Sequence, residues 1–205
     1  MQKEVFYAKW SALHGQAHVV GIVKSWLSIS FICARVLTSI KVSPNFLTLF
    51  GVVTAAFMAW HPLTLLAIAL LVLSLAADGI DGSVAIYQGR SSNFGATLDS
   101  VADRVTEALW LYVAYQVGVP AWLAISLWVL AATQEYARAR AASLGLSVIT
   151  VVTPTERPVR ASAIFILLIA VNLGLSGANA VMYLLLIGQC VSLFLVMRNA
   201  YTSLK

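Results

Sequence analysis

The 205-residue chain is 60% hydrophobic and only 10% charged, with a mean hydropathy of +0.88. Soluble domains carry roughly a quarter charged residues, so a water-soluble globular domain, a disordered chain and a disulfide scaffold are excluded. An all-α integral membrane protein remains. The net charge of +5 would suit a nucleic-acid partner, but the placement of the cations, given below, argues against one. Cys33 and Cys190 lie in apolar runs and read as packing residues rather than a metal pair or an extracellular framework. No apolar h-region followed by a small-residue cleavage site stands at the N-terminus, so no removable signal peptide is expected.

In chain order, residues 1–42 read as an interfacial segment and 43–205 as a membrane domain of six transmembrane helices. Phe6, Tyr7, Trp10 and Leu13 interleave with Lys3, Glu4 and Lys9, a pattern that suits a helix at headgroup level. Val19 to Ile40 is apolar but is interrupted by Lys24 and Arg35 and closed by Lys41. It reads as a long amphipathic helix along the surface, with a seventh span as the alternative. Ser43-Pro44 reads as an N-cap followed by proline in the first turn. The spans then run from 44 to about 60, 63 to 86, 94 to 117, 120 to 144, 162 to 175, and from the 177–179 turn to about Arg198.

The charges agree with an even number of spans. The turns at His61-Pro62, Gly118-Pro120 and Leu175-Asn179 share one side and contain no Lys or Arg, so all 13 basic residues fall on or near the other. The positive-inside rule makes that side cytoplasmic. Both termini then face the cytoplasm in a multi-pass protein of the cell membrane.

Four of the eight acidic residues fall in one stretch: Asp78, Asp81, Asp99 and Asp103. The first two are three apart and the last two four apart, so each pair shares a helical face. Asp99 is four residues past Gly95, about 6 Å along a helix axis, so both pairs sit at similar depth near the same end of spans two and three. A carboxylate at the centre of a membrane helix costs about 2.5–3.5 kcal/mol, and four together repel unless cations bind between them. Hard divalent ions such as Mg²⁺ or Mn²⁺ take oxygen ligands and bridge phosphates. The acids therefore predict a divalent-metal site aimed at a phosphorylated substrate, with helix capping and pairing to Arg90 and Arg104 as the structural alternative. Gly79, Gly82, Gly89 and Gly95 flank them and would admit close backbone or phosphate approach.

Asp78-x-x-Asp81-Gly82-x-x-Ala85, then Gly95-x-x-x-Asp99-x-x-x-Asp103, resembles the signature of the CDP-alcohol phosphotransferases. Pro44-Asn45-x-x-Thr48-x-x-Gly51 and the six spans extend the resemblance over nearly the whole chain. It implies transfer of a phosphatidyl group from CDP-diacylglycerol to an alcohol with release of CMP, two divalent ions on the aspartates, and a homodimer. Asp103 would be the general base, Asp78, Asp81, Asp99 and Asp103 the metal ligands, and Asp81, Gly82, Ala85 and Gly95 donor contacts. One position departs: the signature arginine is Ile86 here. Arg90, one turn on, is the candidate to supply the missing charge.

Arg138, Arg140, Arg157, Arg160 and Arg198 fall on the cytoplasmic side by topology. Guanidinium forks suit phosphate oxygens, so these five predict a pocket for a phosphorylated acceptor, with lipid-headgroup contacts as the alternative. Residues 136–141, 156–160 and Arg198 resemble segments of the actinobacterial phosphatidylinositol-phosphate synthases, although Ala142 stands where those enzymes often carry glutamate. The resemblance implies inositol phosphate as acceptor, with glycerol 3-phosphate next. Two rival readings are a degenerate member that binds nucleotide or lipid without turnover, motivated by Ile86, and a small transporter, disfavoured because the acids cluster at one end. Glu107 is expected beside Arg138 or Arg104, and Glu135 beside Arg138. His14 and His18 read as interfacial, and Trp60, Trp110, Trp122 and Trp128 as lipid-facing or interfacial.

Overall fold

A computed structural model of the chain describes residues 1–13, 15–63, 65–146 and 151–205. Among them are eight helices and no strand: α1 (Lys3–Leu13), α2 (Gly21–Ser39), α3 (Pro44–Trp60), α4 (Leu65–Gln88), α5 (Asn93–Gln116), α6 (Ala121–Ser143), α7 (Arg157–Asn172) and α8 (Ala180–Ser203). His14, half of the His14/His18 pair, lies outside the described residues. The start of α3 follows its sequence signal: the Ser43 hydroxyl accepts the Phe46 N–H at 3.2 Å, relieving one of the orphan donors of a helix start.

The fifth predicted span is displaced. α7 begins at Arg157 with Pro158 in its first turn, where a missing N–H costs nothing, so Arg157 and Arg160 are helical rather than loop residues. α8 likewise continues past Arg198 to Ser203.

By length and composition, α4 and α8 are apolar enough to cross a membrane. α3 and α7, with 17 and 16 residues, extend about 24–26 Å against a hydrocarbon core of about 30 Å. α5 and α6 are interrupted by charges, among them Asp99, Asp103, Glu107, Glu135 and Arg138. The Val23–Ser39 and Pro44–Trp60 helices meet at 106°.

The chain forms two compact units. The first comprises Met1–Thr54 and Leu73–Val105. In it α1 lies on α2: Phe6 meets Phe31 edge-on at 5.5 Å, and the Tyr7 and Ser28 hydroxyls bond at 2.7 Å. Phe6, Leu27 and Ile86 form one buried apolar cluster, and Ala34, Leu47 and Val84 another. Two glycines permit close approach. The Ser74 hydroxyl donates to the Gly51 carbonyl at 2.8 Å, and a Cβ on Gly51 would lie 3.3 Å from the Ser74 carbonyl oxygen. A Cβ on Gly79 would lie 2.8 Å from the Trp26 ring, inside van der Waals contact.

The second unit comprises Ala55–Val72 and Thr106–Lys205. A buried polar chain ties α6 and α8 to the segment before α7. The Gln189 amide donates to Gln134 at 2.7 Å, the Thr155 hydroxyl donates to Gln189 at 2.9 Å, and the Thr155 and Ser192 hydroxyls bond at 2.6 Å. Away from water such bonds average about 0.6 kcal/mol each, but a lone buried amide would cost more. Trp110 corrects the sequence expectation. It is 1% exposed, packed inside this unit instead of facing lipid or interface, whereas Trp60 and Trp122 are exposed as expected.

Candidate metal centre and its cleft

Four carboxylates enter the first unit from two helices. Asp78, Asp99 and Asp103 converge, each offering an oxygen, with all three oxygens within 4.8 Å of one another. The pairing follows from helical spacing: one turn separates Asp99 from Asp103 on α5, and Asp78 projects from α4. At an effective dielectric of 20, like charges this close repel by on the order of 3 kcal/mol per pair. The Arg104 guanidinium approaches Asp103 at 3.5 Å, a long contact from the adjacent residue. A hard divalent cation fits this all-oxygen donor set.

Asp81 lies outside that group of three. It is buried, and its carboxylate accepts the Thr48 hydroxyl and the Gly82 N–H, both at 2.5 Å. Thr48 is reached from α3 and was quoted in the sequence only as part of a helix-opening pattern. The structure gives it a partner among the acids.

An open cleft of about 590 Å³ runs along these residues. Its lining includes Asp78, Asp81, Gly82, Ala85, Arg90, Gly95 and Asp99, so every residue expected to touch a donor borders one space. Arg90 shares it while exposed at the end of α4. Ile86 also borders the cleft, yet it is 5% exposed and packed with Phe6 and Leu27. Trp10, Leu13, Trp26 and Asn45 line the cleft as well. Sequence reasoning missed Trp10, Leu13 and Trp26 because α1 and α2 read as surface helices, their aromatic residues among lysines being the available signal; Asn45 belongs to the α3 opening pattern.

The basic residues of the second unit divide by their partners. Arg138 grips Glu156 in a two-pronged pair at 2.8 and 2.6 Å and lies 3.7 Å from Glu135. Arg160, 4% exposed, pairs with Glu107, donates to the Thr155 carbonyl at 2.6 Å and lies 3.4 Å from Glu135. Glu107 partners Arg160, a pairing the sequence did not suggest, because α7 starts early enough to bring residue 160 onto α5. Glu135 lies beside Arg138 as expected and also serves Arg160.

Arg157 donates to the Thr106 hydroxyl at 2.8 Å and lies over the Trp110 ring at 5.1 Å, a cation–π geometry. Arg140 and Arg198 are exposed, the first donating to the Ser143 hydroxyl at 3.3 Å. Burial pushes the Glu156 carboxyl up, but the Arg138 fork and the Thr153 N–H and hydroxyl outweigh it and hold it down at about 2.

The family model described as CDP-alcohol phosphatidyltransferase matches residues 41–196. An archaetidylinositol phosphate synthase of Aeropyrum pernix is 38% identical over 118 residues, 56% of this chain and 61% of that protein. The alignment therefore spans about three fifths of that relative's length. A phosphatidylinositol phosphate synthase of Corynebacterium glutamicum is 35% identical over 159 residues, 70% of this chain and 68% of that one. Among solved structures, the Mycobacterium tuberculosis phosphatidylinositol phosphate synthase with CDP-DAG bound aligns with a TM-score of 0.67 at 20% identity, covering 85% of this chain and 94% of that one. The same enzyme with manganese and citrate also aligns at 0.67 and 20%, covering 84% and 89%. At this identity the structural likeness establishes the fold.

Proposed function

We propose a transferase activity on the premise that the chain belongs to the CDP-alcohol phosphatidyltransferase family: it moves a phosphatidyl group from CDP-diacylglycerol to a phosphorylated alcohol and releases CMP. Inositol phosphate is the favoured acceptor, in keeping with the names of its relatives, and glycerol 3-phosphate the next. The observation that carries this reading is the convergence of Asp78, Asp99 and Asp103 within 4.8 Å on a cleft bordered by the rest of the signature.

Asp78, Asp81, Asp99 and Asp103 would hold two divalent ions, Mg²⁺ or Mn²⁺, which when bound neutralise charge on the donor's pyrophosphate. Thr48 and the Gly82 N–H fix the Asp81 carboxylate, so that residue is oriented before any ligand arrives. Asp103 accepts the proton of the acceptor hydroxyl. The freed oxygen bonds the lipid-side phosphorus, and the bond from that phosphorus to the bridging oxygen breaks, leaving CMP. Gly82, Ala85, Gly95 and Arg90 border the donor.

Arg157, Arg140 and Arg198 are assigned to the acceptor's phosphate. Arg138 and Arg160, already matched by Glu156 and Glu107, hold the framework for them. The six helices α3 to α8 are read as spans, residues 43–205 as the membrane domain, and residues 1–42 as interfacial. The 106° break between the α2 and α3 segments suits a surface helix followed by a crossing one. Both termini and the cleft face the cytoplasm at the cell membrane in a homodimer.

The burial of Ile86 in an apolar cluster favours one second reading, a member that binds donor without turnover. CMP release by the purified protein separates the two. With CDP-diacylglycerol, Mg²⁺ or Mn²⁺, and inositol phosphate, glycerol 3-phosphate, inositol or serine supplied in turn, release that depends on one phosphorylated acceptor is expected. Metal-dependent CDP binding without release under any acceptor would favour the second reading. No CDP binding would remove both.

A further inference from the structure

One part of the cleft lies outside the family match. Residues 1–40 precede the matched span, yet Trp10 and Leu13 of α1 and Trp26 of α2 line the same space as Asp78, Asp81 and Asp99. Leu13 is 61% exposed and Trp26 43%, so their apolar surface is available to a ligand. Other elements contribute a different chemistry: Asn45 and Thr48 from α3, Ser91 and Ser92 from the turn after α4, and Asn93 from α5. The cleft therefore offers carboxylates, a set of hydroxyls and amides, and a set of indoles and leucine.

The position that departs from the signature explains how α1 gets there. Phe6, fully buried, and Leu27 cover Ile86, with Tyr7, Trp10 and Phe31 packed around them. An arginine at position 86 would have to fit its longer, charged side chain beneath these rings, and burying a charge is costly. The isoleucine instead gives α1 an apolar seat at the rim of the cleft. A nucleotide's ribose and base are rich in hydrogen-bonding groups and suit the hydroxyls and amides. The apolar half of a lipid-linked nucleotide suits the indole and leucine surface, which gains by being taken out of water.

We propose that Trp10 and Leu13 are specificity-determining residues that contact the lipid half of the donor, and that Ile86 seats the helix that carries them. This rests on the donor reading above. The test measures binding of CDP and of CDP-diacylglycerol to the purified full chain in detergent with Mn²⁺. Trp10→Ala and Leu13→Ala should each weaken CDP-diacylglycerol binding, Trp10→Ala by about tenfold, with CDP binding unchanged. Trp10→Phe should restore most of the loss. Leu13, being exposed, can be truncated without disturbing the Phe6 seat.

Equal losses for CDP and CDP-diacylglycerol would give this surface to the nucleotide and overturn the proposal. So would unchanged lipid-donor binding in both alanine variants. If the unmodified chain binds neither ligand, the donor reading fails first; if it binds both and no variant matters, only this inference fails.

Discussion

The acidic and basic groups of the molecule lie in different compact units and handle charge in opposite ways. In the first unit, Asp78, Asp99 and Asp103 are held against one another, and the long Arg104 contact is a weak counterweight. In the second, carboxylates and guanidiniums are matched: Arg138 with Glu156, and Arg160 with Glu107 and Glu135. Matched buried charge is a structural solution, since each ion offsets the desolvation of the other. Like charges held this close instead make an all-oxygen donor set that a divalent cation fits.

The largest effect that could break this contrast is at Asp103. Asp103→Asn should lower CMP release by at least about 10³-fold, in the range of general-base catalysis, while Mn²⁺-dependent CDP binding persists on the remaining aspartates. Turnover near normal would remove Asp103 from the base role. In the matched unit the effect should fall on stability. Arg160→Ala removes one partner of the buried Arg160–Glu107 pair, in which Glu107 is 2% exposed, and should destabilise the protein by about 3–5 kcal/mol. Unfolding in detergent reads this, and the double variant Arg160→Met with Glu107→Leu should recover most of the loss.

A smaller effect separates Arg157, proposed above as a phosphate ligand, from its framework neighbours. Arg157→Ala should raise the acceptor's KM by about tenfold, the scale of one charge-assisted hydrogen bond, with little change in kcat or in donor binding. An unchanged KM would return Arg157 to a lipid-contact or packing role. The smallest effect is a pH dependence. Glu156 is held down at about 2 from an ordinary 4.5, so its native interactions add stability in full above about pH 4.5. That contribution fades as pH falls through 2. Glu156→Gln should lose this acid-side slope, seen as a flatter unfolding profile between those values. A slope that survives the substitution belongs to another carboxylate.

The convergence of Asp78, Asp99 and Asp103 was legible because helical spacing puts Asp99 and Asp103 on one face and a short connection keeps Asp78 at the same depth. That spacing put Asp81 with Asp78, whereas Asp81 lies outside the group and is engaged by Thr48 and the Gly82 N–H. The cap at Ser43 and the start at Pro44 were legible for the same reason, being local backbone chemistry. The partners of the arginines were not. Glu107 meets Arg160 only because α7 starts at Arg157, and a proline in a first turn looks in sequence like a loop proline. Trp110 reads as a lipid-facing ring until Arg157 is seen over it.

What the sequence determined by itself was therefore the local and compositional part: a membrane-suited helical chain, the periodic faces of its helices, and a set of acids too costly to keep without a ligand. The tertiary structure decided which carboxylate takes which guanidinium, that Thr48 holds Asp81, and that α1 rests on Ile86 at the cleft. The physical reason is range. Periodicity and capping act within a few residues, whereas charge pairing and apolar seating join positions 53 and 80 residues apart (Glu107 with Arg160, Phe6 with Ile86), and nothing in the chain between them records the meeting.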